Sequence, residues 1–120
     1  MELKRLFDGE LRLMHIIWDH EPVPSGRLVE LCLEKLGWKK STTYTMLKRL
    51  GDKGYVKNEN AQVTALVSRR EVQAAESEHV VEQTFSGSLP GFLVAFLGGK
   101  TISEEEAEEL RRLIDAHREA

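Results

Sequence analysis

Prolines and glycines cut the N-terminal part of this chain into three pieces, each of helix length and each carrying an apolar stripe. No other feature narrows the fold as much. Pieces this short cannot form a long bundle and must pack against one another to bury their stripes. The first, "FDGELRLMHIIWDHE", puts Leu11, Met14, Ile17 and Trp18 on one side at helical spacing, with Leu13 and Ile16 widening the stripe. Phe7 or Asp8 caps its start, and the prolines of "EPVPS" end it. Ser25 is an N-cap for the second, "SGRLVELCLEKLG", whose Leu28, Leu31, Cys32 and Leu36 face inward and whose Gly37 stops it. Ser41 is an N-cap for the third, which runs to about Lys53 with Leu47 and Leu50 inward and Gly54 as its stop.

"YVKNENAQVTALVS" follows: an extended piece, a polar turn, then a second extended piece with β-branched residues. It reads as a two-stranded hairpin without a strong Asn-Gly turn signal. Three helices followed by a small β wing is the order of a winged helix-turn-helix domain, expected over residues 1–69.

From residue 70 to 120 helices return. "REVQAAESEHVVEQTF" offers Val72, Ala75, His79 and Val80 as a stripe, and "SGSLPG" breaks it. The next helix carries Leu89, Phe92, Leu93, Phe96 and Leu97 at i, i+3, i+4, i+7 and i+8. "TISEEEAEELRRLIDAHREA" then forms a helix with a Ser103/Glu106 capping box and an apolar seam of Ala107, Leu110, Leu113 and Ile114. After a complete winged-helix unit, these stripes have little left to pack on. They are expected to form a helical dimerisation region through Leu89, Phe92, Leu93, Phe96, Leu97, Leu110, Leu113 and Ile114, a homodimer being favoured over an intramolecular subdomain.

Charge separates the two halves. Residues 1–57 hold 11 basic and 8 acidic side chains, and residues 58–120 hold 6 and 12, so nets of +3 and −6 sum to the formal −3. The positive share gathers in "KKSTTYTMLKRLGDKGYVK", where six lysines and arginines face the single acid Asp52. A solvated helix face normally mixes acids among its bases, so this run points to a polyanion. In a helix-turn-helix the second helix of the motif enters the major groove of DNA and its first residues reach base edges. With Leu47 and Leu50 inward, Ser41, Thr42, Tyr44, Thr45, Lys48 and Arg49 fall on the outward side, and Lys39 and Lys40 sit just upstream beside the DNA backbone. The rival reading is a winged-helix interaction module whose basic helix meets an acidic protein partner.

Other chemistry is sparse. His15 and His20 are spaced off a shared helical face for a metal pair, so no metal site or cofactor is expected. Cys32 lies on an apolar face and reads as core rather than nucleophile; a lone cysteine suits a reducing cytoplasm. "GGKTIS" ends like a phosphate-binding loop, but the first glycine that loop needs is Val94. No catalytic constellation appears, so an enzyme is not expected. The start "MELKRLFDGE" lacks the regions of a signal peptide and no run reaches membrane-spanning length, so neither export nor direct membrane insertion is expected.

The residues "LMHIIWD", "STTYTMLKRLGDKGYV", "ALVSRREV" and "FLVAFLGG…ISEEEAEELRRLID" resemble, in order and over nearly the whole chain, the penicillinase-repressor (BlaI/MecI/CopY-type) family of bacterial transcriptional repressors. That resemblance implies a homodimer with an N-terminal winged helix, bound to a DNA operator of dyad symmetry. It places the base- and phosphate-contacting helix start on Ser41, Thr42, Tyr44 and Thr45, with Arg49 matching a family arginine. Tyr44 stands where β-lactam-responsive members often carry arginine, which implies a different operator. The wing tip "NENAQ" has Glu59 and no basic residue, which implies a weaker wing contribution. In the β-lactam branch a membrane-sensor pathway leads to cutting at an Asn-Phe bond; the matching bond here is Ala95–Phe96, with the asparagine missing. The cysteine pair of the copper branch is absent from the ending "DAHREA".

Overall fold

A computed structural model describes residues 3–119. The chain forms two compact units, the first ending at His79 and the second beginning at Val80. Helix α1 spans Asp8–His20, and its first turn is closed by the Glu10 carboxylate, which accepts the Phe7 N–H at 2.7 Å. Its buried apolar side chains are Leu13, Met14, Ile16 and Ile17, whereas Leu11 and Trp18, expected to centre the stripe, are half-buried. The stripe is rotated because Trp18 serves the edge of the core: its indole N–H donates to the Val67 carbonyl at 2.9 Å.

Strand β1 is only Val23–Pro24, and α2 (Ser25–Leu36) follows directly. Ser25 is the first helical residue rather than the cap, and its N–H donates to the Ala61 carbonyl at 2.8 Å. Leu28, Leu31 and Cys32 enter the core as expected, and Gly37, in the left-handed region at φ 69°, ends the helix. Helix α3 spans Lys40–Asp52, so Ser41 lies within its first turn and Lys39 takes the cap position, accepting the Thr43 N–H through its carbonyl at 3.1 Å. Leu47 and Leu50 are buried, and Thr43 joins them one turn earlier on the same face.

Strands β2 (Val56–Glu59) and β3 (Gln62–Ala65) pair antiparallel with Glu59 opposite Gln62. The connecting turn is two residues, Asn60 and Ala61, both at positive φ (53° and 59°), the arrangement a tight hairpin demands. The expected hairpin is present, but it is not the whole sheet. β1 adds a third strand in the order β1-β3-β2, with Val23 opposite Val63, and both valines are buried. The core therefore lies where α1, α2 and α3 meet one another and the inner face of this sheet. Burying each large aliphatic side chain contributes roughly 1.5–3 kcal/mol.

Helix α4 spans Arg69–Phe85 and starts on a capping box, Ser68 with Glu71. Of its expected stripe Val72 is buried, Ala75 and His79 are half-buried, and Val80 is exposed. Arg69 anchors its start, donating to the Asp19 carboxylate at 2.7 Å and stacking over the Trp18 ring. In the second unit, α5 (Leu89–Leu97) is capped by Ser88 and α6 (Glu104–Ala116) by Ser103, each hydroxyl accepting a backbone N–H of its first turn. Phe85, Phe92 and Phe96 form a chain of ring contacts there, with centroids 5.5 and 5.8 Å apart. Neither α5 nor α6 contains a fully buried residue.

Candidate nucleic-acid interface

Helix α3 is polar on one side because Thr43, Leu47 and Leu50 tie the other to the core. Every residue expected on its outward side is exposed: Lys39, Lys40, Ser41, Thr42, Tyr44, Thr45, Lys48 and Arg49. At 3.6 residues per turn, Ser41, Thr45 and Lys48 line the middle of that face. Thr42 and Arg49 share one flank, and Tyr44, 38% exposed, stands on the other. The first turn carries no acidic side chain and no side-chain cap, so its amide N–H groups face outward beside Lys39 and Lys40. Free amides and lysines together form an anion-attracting end.

The basic run is smaller than its sequence. Lys53 does not belong to this surface: its ammonium donates to the buried Glu10 carboxylate at 2.7 Å and to the Arg5 carbonyl at 2.8 Å, and it lies over the Phe7 ring. Burial alone would raise the Glu10 pKa. The Lys53 hydrogen bond, the Phe7 N–H and the Lys53 and Arg49 charges outweigh it and hold the carboxyl below its ordinary value. Lys57 pairs with Glu59 and Lys48 with Asp52, each at 3.8 Å between exposed groups, so water and salt screen both pairs. Among the described residues no ion pair engages Lys39, Lys40 or Arg49. Asp52 lies on the same face as Lys48 but at the far end of the helix, away from the cationic start.

The hairpin tip, Asn58 to Gln62, is exposed and offers amides and the Glu59 carboxylate but no unpaired cation. Sequence reasoning missed Thr43 as a core position and Lys53 as a structural one. The i, i+4, i+7 spacing of Thr43, Leu47 and Leu50 was a signal for the first. Nothing local signalled the second, since Lys53 and Glu10 lie 43 residues apart.

Cys32 is fully buried, and burial pushes its thiol pKa up, which keeps it protonated and unreactive. Among the described residues no cluster of His, Cys, Asp and Glu has the geometry to hold a metal ion. No single helix among them is long and apolar enough to cross a membrane.

In the second unit Leu89, Leu93, Phe96, Leu110, Leu113 and Ile114 are exposed, Leu113 and Ile114 at 56% and 57%, while Phe92 and Leu97 are half-buried. Ala95 and Phe96 lie in the last turn of α5, and the Phe96 carbonyl accepts a hydrogen bond from the Lys100 ammonium at 2.8 Å.

Comparison with known proteins places this geometry among regulators. Residues 7–116 match the sequence model of a family described as penicillinase repressor. The penicillinase repressor of Bacillus licheniformis is 23% identical over 98% of this chain and 94% of its own length. The methicillin resistance regulatory protein MecI of Staphylococcus aureus is 24% identical over 89% of this chain and 90% of its own. Among solved structures, the DNA-binding domain of the repressor BlaI superposes with a TM-score of 0.51 at 26% identity, over 58% of this chain and 90% of that one. The monomeric form of Bacillus licheniformis BlaI, solved in complex with the blaP half-operator, shares the fold at a TM-score of 0.51 and 24% identity, with the same coverage.

Proposed function

This chain belongs to the penicillinase repressor family, and from that premise we propose that it is a DNA-binding transcriptional repressor that holds a dyad-symmetric operator as a homodimer. The observation that carries the reading is the exposed face of α3, with hydroxyls at its start, unpaired lysines beside its free amides, and no acid before Asp52. In this reading α3 lies in the major groove. Ser41, Thr42, Tyr44 and Thr45 reach base edges, while Lys39, Lys40, Lys48 and Arg49 hold phosphates or reach past them. The repressor works by occupying the operator, and no step of chemistry is involved.

Dimerisation belongs to the second unit. Its exposed side chains Leu89, Leu93, Phe96, Leu110, Leu113 and Ile114 are too many and too large for a solvated surface, and a second copy of the chain would cover them. The acids of α6 then keep that region away from DNA. The protein acts in the cytoplasm, where its operator is. Release by a membrane sensor-protease pathway acting at Ala95–Phe96 would require unwinding the last turn of α5, since a protease binds extended chain and this bond is helical.

The salt response tests the reading. Binding through several phosphates weakens by orders of magnitude between about 50 and 200 mM salt. A surface that instead recognised an acidic protein would select no DNA sequence at any salt.

A further inference from the structure

The reading face of α3 is poor in the groups that usually discriminate bases. Asparagine and glutamine, which grip adenine, are absent from Lys40–Asp52, and so is glutamate, which takes cytosine. The groups that could take guanine on the outer face, Lys48 and the one guanidinium Arg49, lie beyond the second turn, away from the end that reaches base edges. At that end stand Ser41, Thr42, Tyr44 and Thr45. A hydroxyl bonds to several different bases and so discriminates little. Methyl groups and aromatic rings do discriminate, because in the major groove only thymine presents a methyl group.

Thr45 occupies the middle of the exposed face and Tyr44, the residue before it on the same turn, one flank about 100° around the helix. Thr45 is β-branched, which confines its methyl to two positions relative to the helix. Tyr44 offers an exposed ring with a single polar atom. We infer that each half-site is read chiefly through thymine methyl groups, one met by the Thr45 methyl and a neighbouring one by the Tyr44 ring. This inference rests on the DNA-reading role of α3 proposed above and assigns that role its base specificity.

The test replaces thymine by uracil, which removes the methyl and leaves base pairing and phosphates unchanged. The whole chain first selects a duplex from a random pool, and each thymine of that duplex is then replaced singly by uracil. Losing one buried methyl contact lowers affinity by about fourfold. One or two replacements in each half-site should show that loss, and replacements outside the half-sites should show none. With Thr45→Ser, which removes the protein's methyl but keeps its hydroxyl, one of those replacements should cost nothing further.

If the chain selects a site and uracil nowhere weakens it, thymine reading is wrong while DNA reading stands. If the chain selects no site, DNA reading falls and this inference with it. Should Thr45→Ser fail to fold, the uracil series still decides, because it leaves the protein untouched.

Discussion

Lys53, at the end of α3, and Glu10, in the first turn of α1, form a 2.7 Å ion pair in which the carboxylate is wholly enclosed. The pair fixes the trailing end of α3 against α1, and the leading end is left to face solvent. Removing the cation strands a buried carboxylate, so Lys53→Met should destabilise the fold by about 3 kcal/mol. Urea unfolding at neutral pH measures it. A change near zero would mean that the Phe7 N–H alone sustains the buried charge.

The same pair gives a pH dependence with a definite sign. The folded-state pKa of Glu10 lies below its unfolded value, so the group's contribution is fully present above the ordinary carboxylate pKa, about 4.3. It is lost as pH falls through the lower folded value. Glu10→Gln should therefore be less stable than the parent at neutral pH and should lose less stability on acidification. Parallel slopes for the two proteins would contradict the assignment.

Ala61 sits at φ 59° in the hairpin turn, a region that costs a residue with a Cβ about 1–2 kcal/mol. Ala61→Gly removes that strain but adds freedom to the unfolded chain, worth about 0.4–1 kcal/mol. The net expectation is a gain of about 0.5 kcal/mol, read as a higher melting temperature. A lower one would show that the turn is not strained.

Among the described residues, Lys39 and Lys40 stand at the free amides of α3 without ion-pair partners. Substituting either by alanine should weaken operator binding uniformly across sequences and reduce the slope of log affinity against log salt by about one. Lys57→Ala, at a wing whose lysine is engaged by Glu59, should change that slope less. Equal effects at all three would place the wing on the phosphates.

Much of this fold is legible in the sequence. The proline and glycine breaks mark α1, α2 and α3, and the leucines at 47 and 50 mark the buried side of α3. The features that escaped depend on distant partners. The two residues Val23–Pro24 become a strand only because Val23 meets Val63 across the fold. Lys53 reads as one more cation until the chain brings Glu10 beneath it. Ser25 and Ser41 carry the right chemistry for caps, yet Pro24 and Lys39 occupy those positions because neighbouring backbone sets the helix starts. The charge split was legible, but the run overstated the free cations by counting pairs that folding closes.

The central claim, a dimer reading a dyad through α3, is tested most directly by footprinting the whole chain on the DNA around its own gene. Two protected half-sites related by a dyad are expected, their centres separated by about one helical turn of DNA or a small multiple of it. A chain ending at His79 keeps the winged-helix unit and should protect them only at much higher concentration. Absence of protection at low salt, or protection of one asymmetric stretch by both chains at the same concentration, would contradict it.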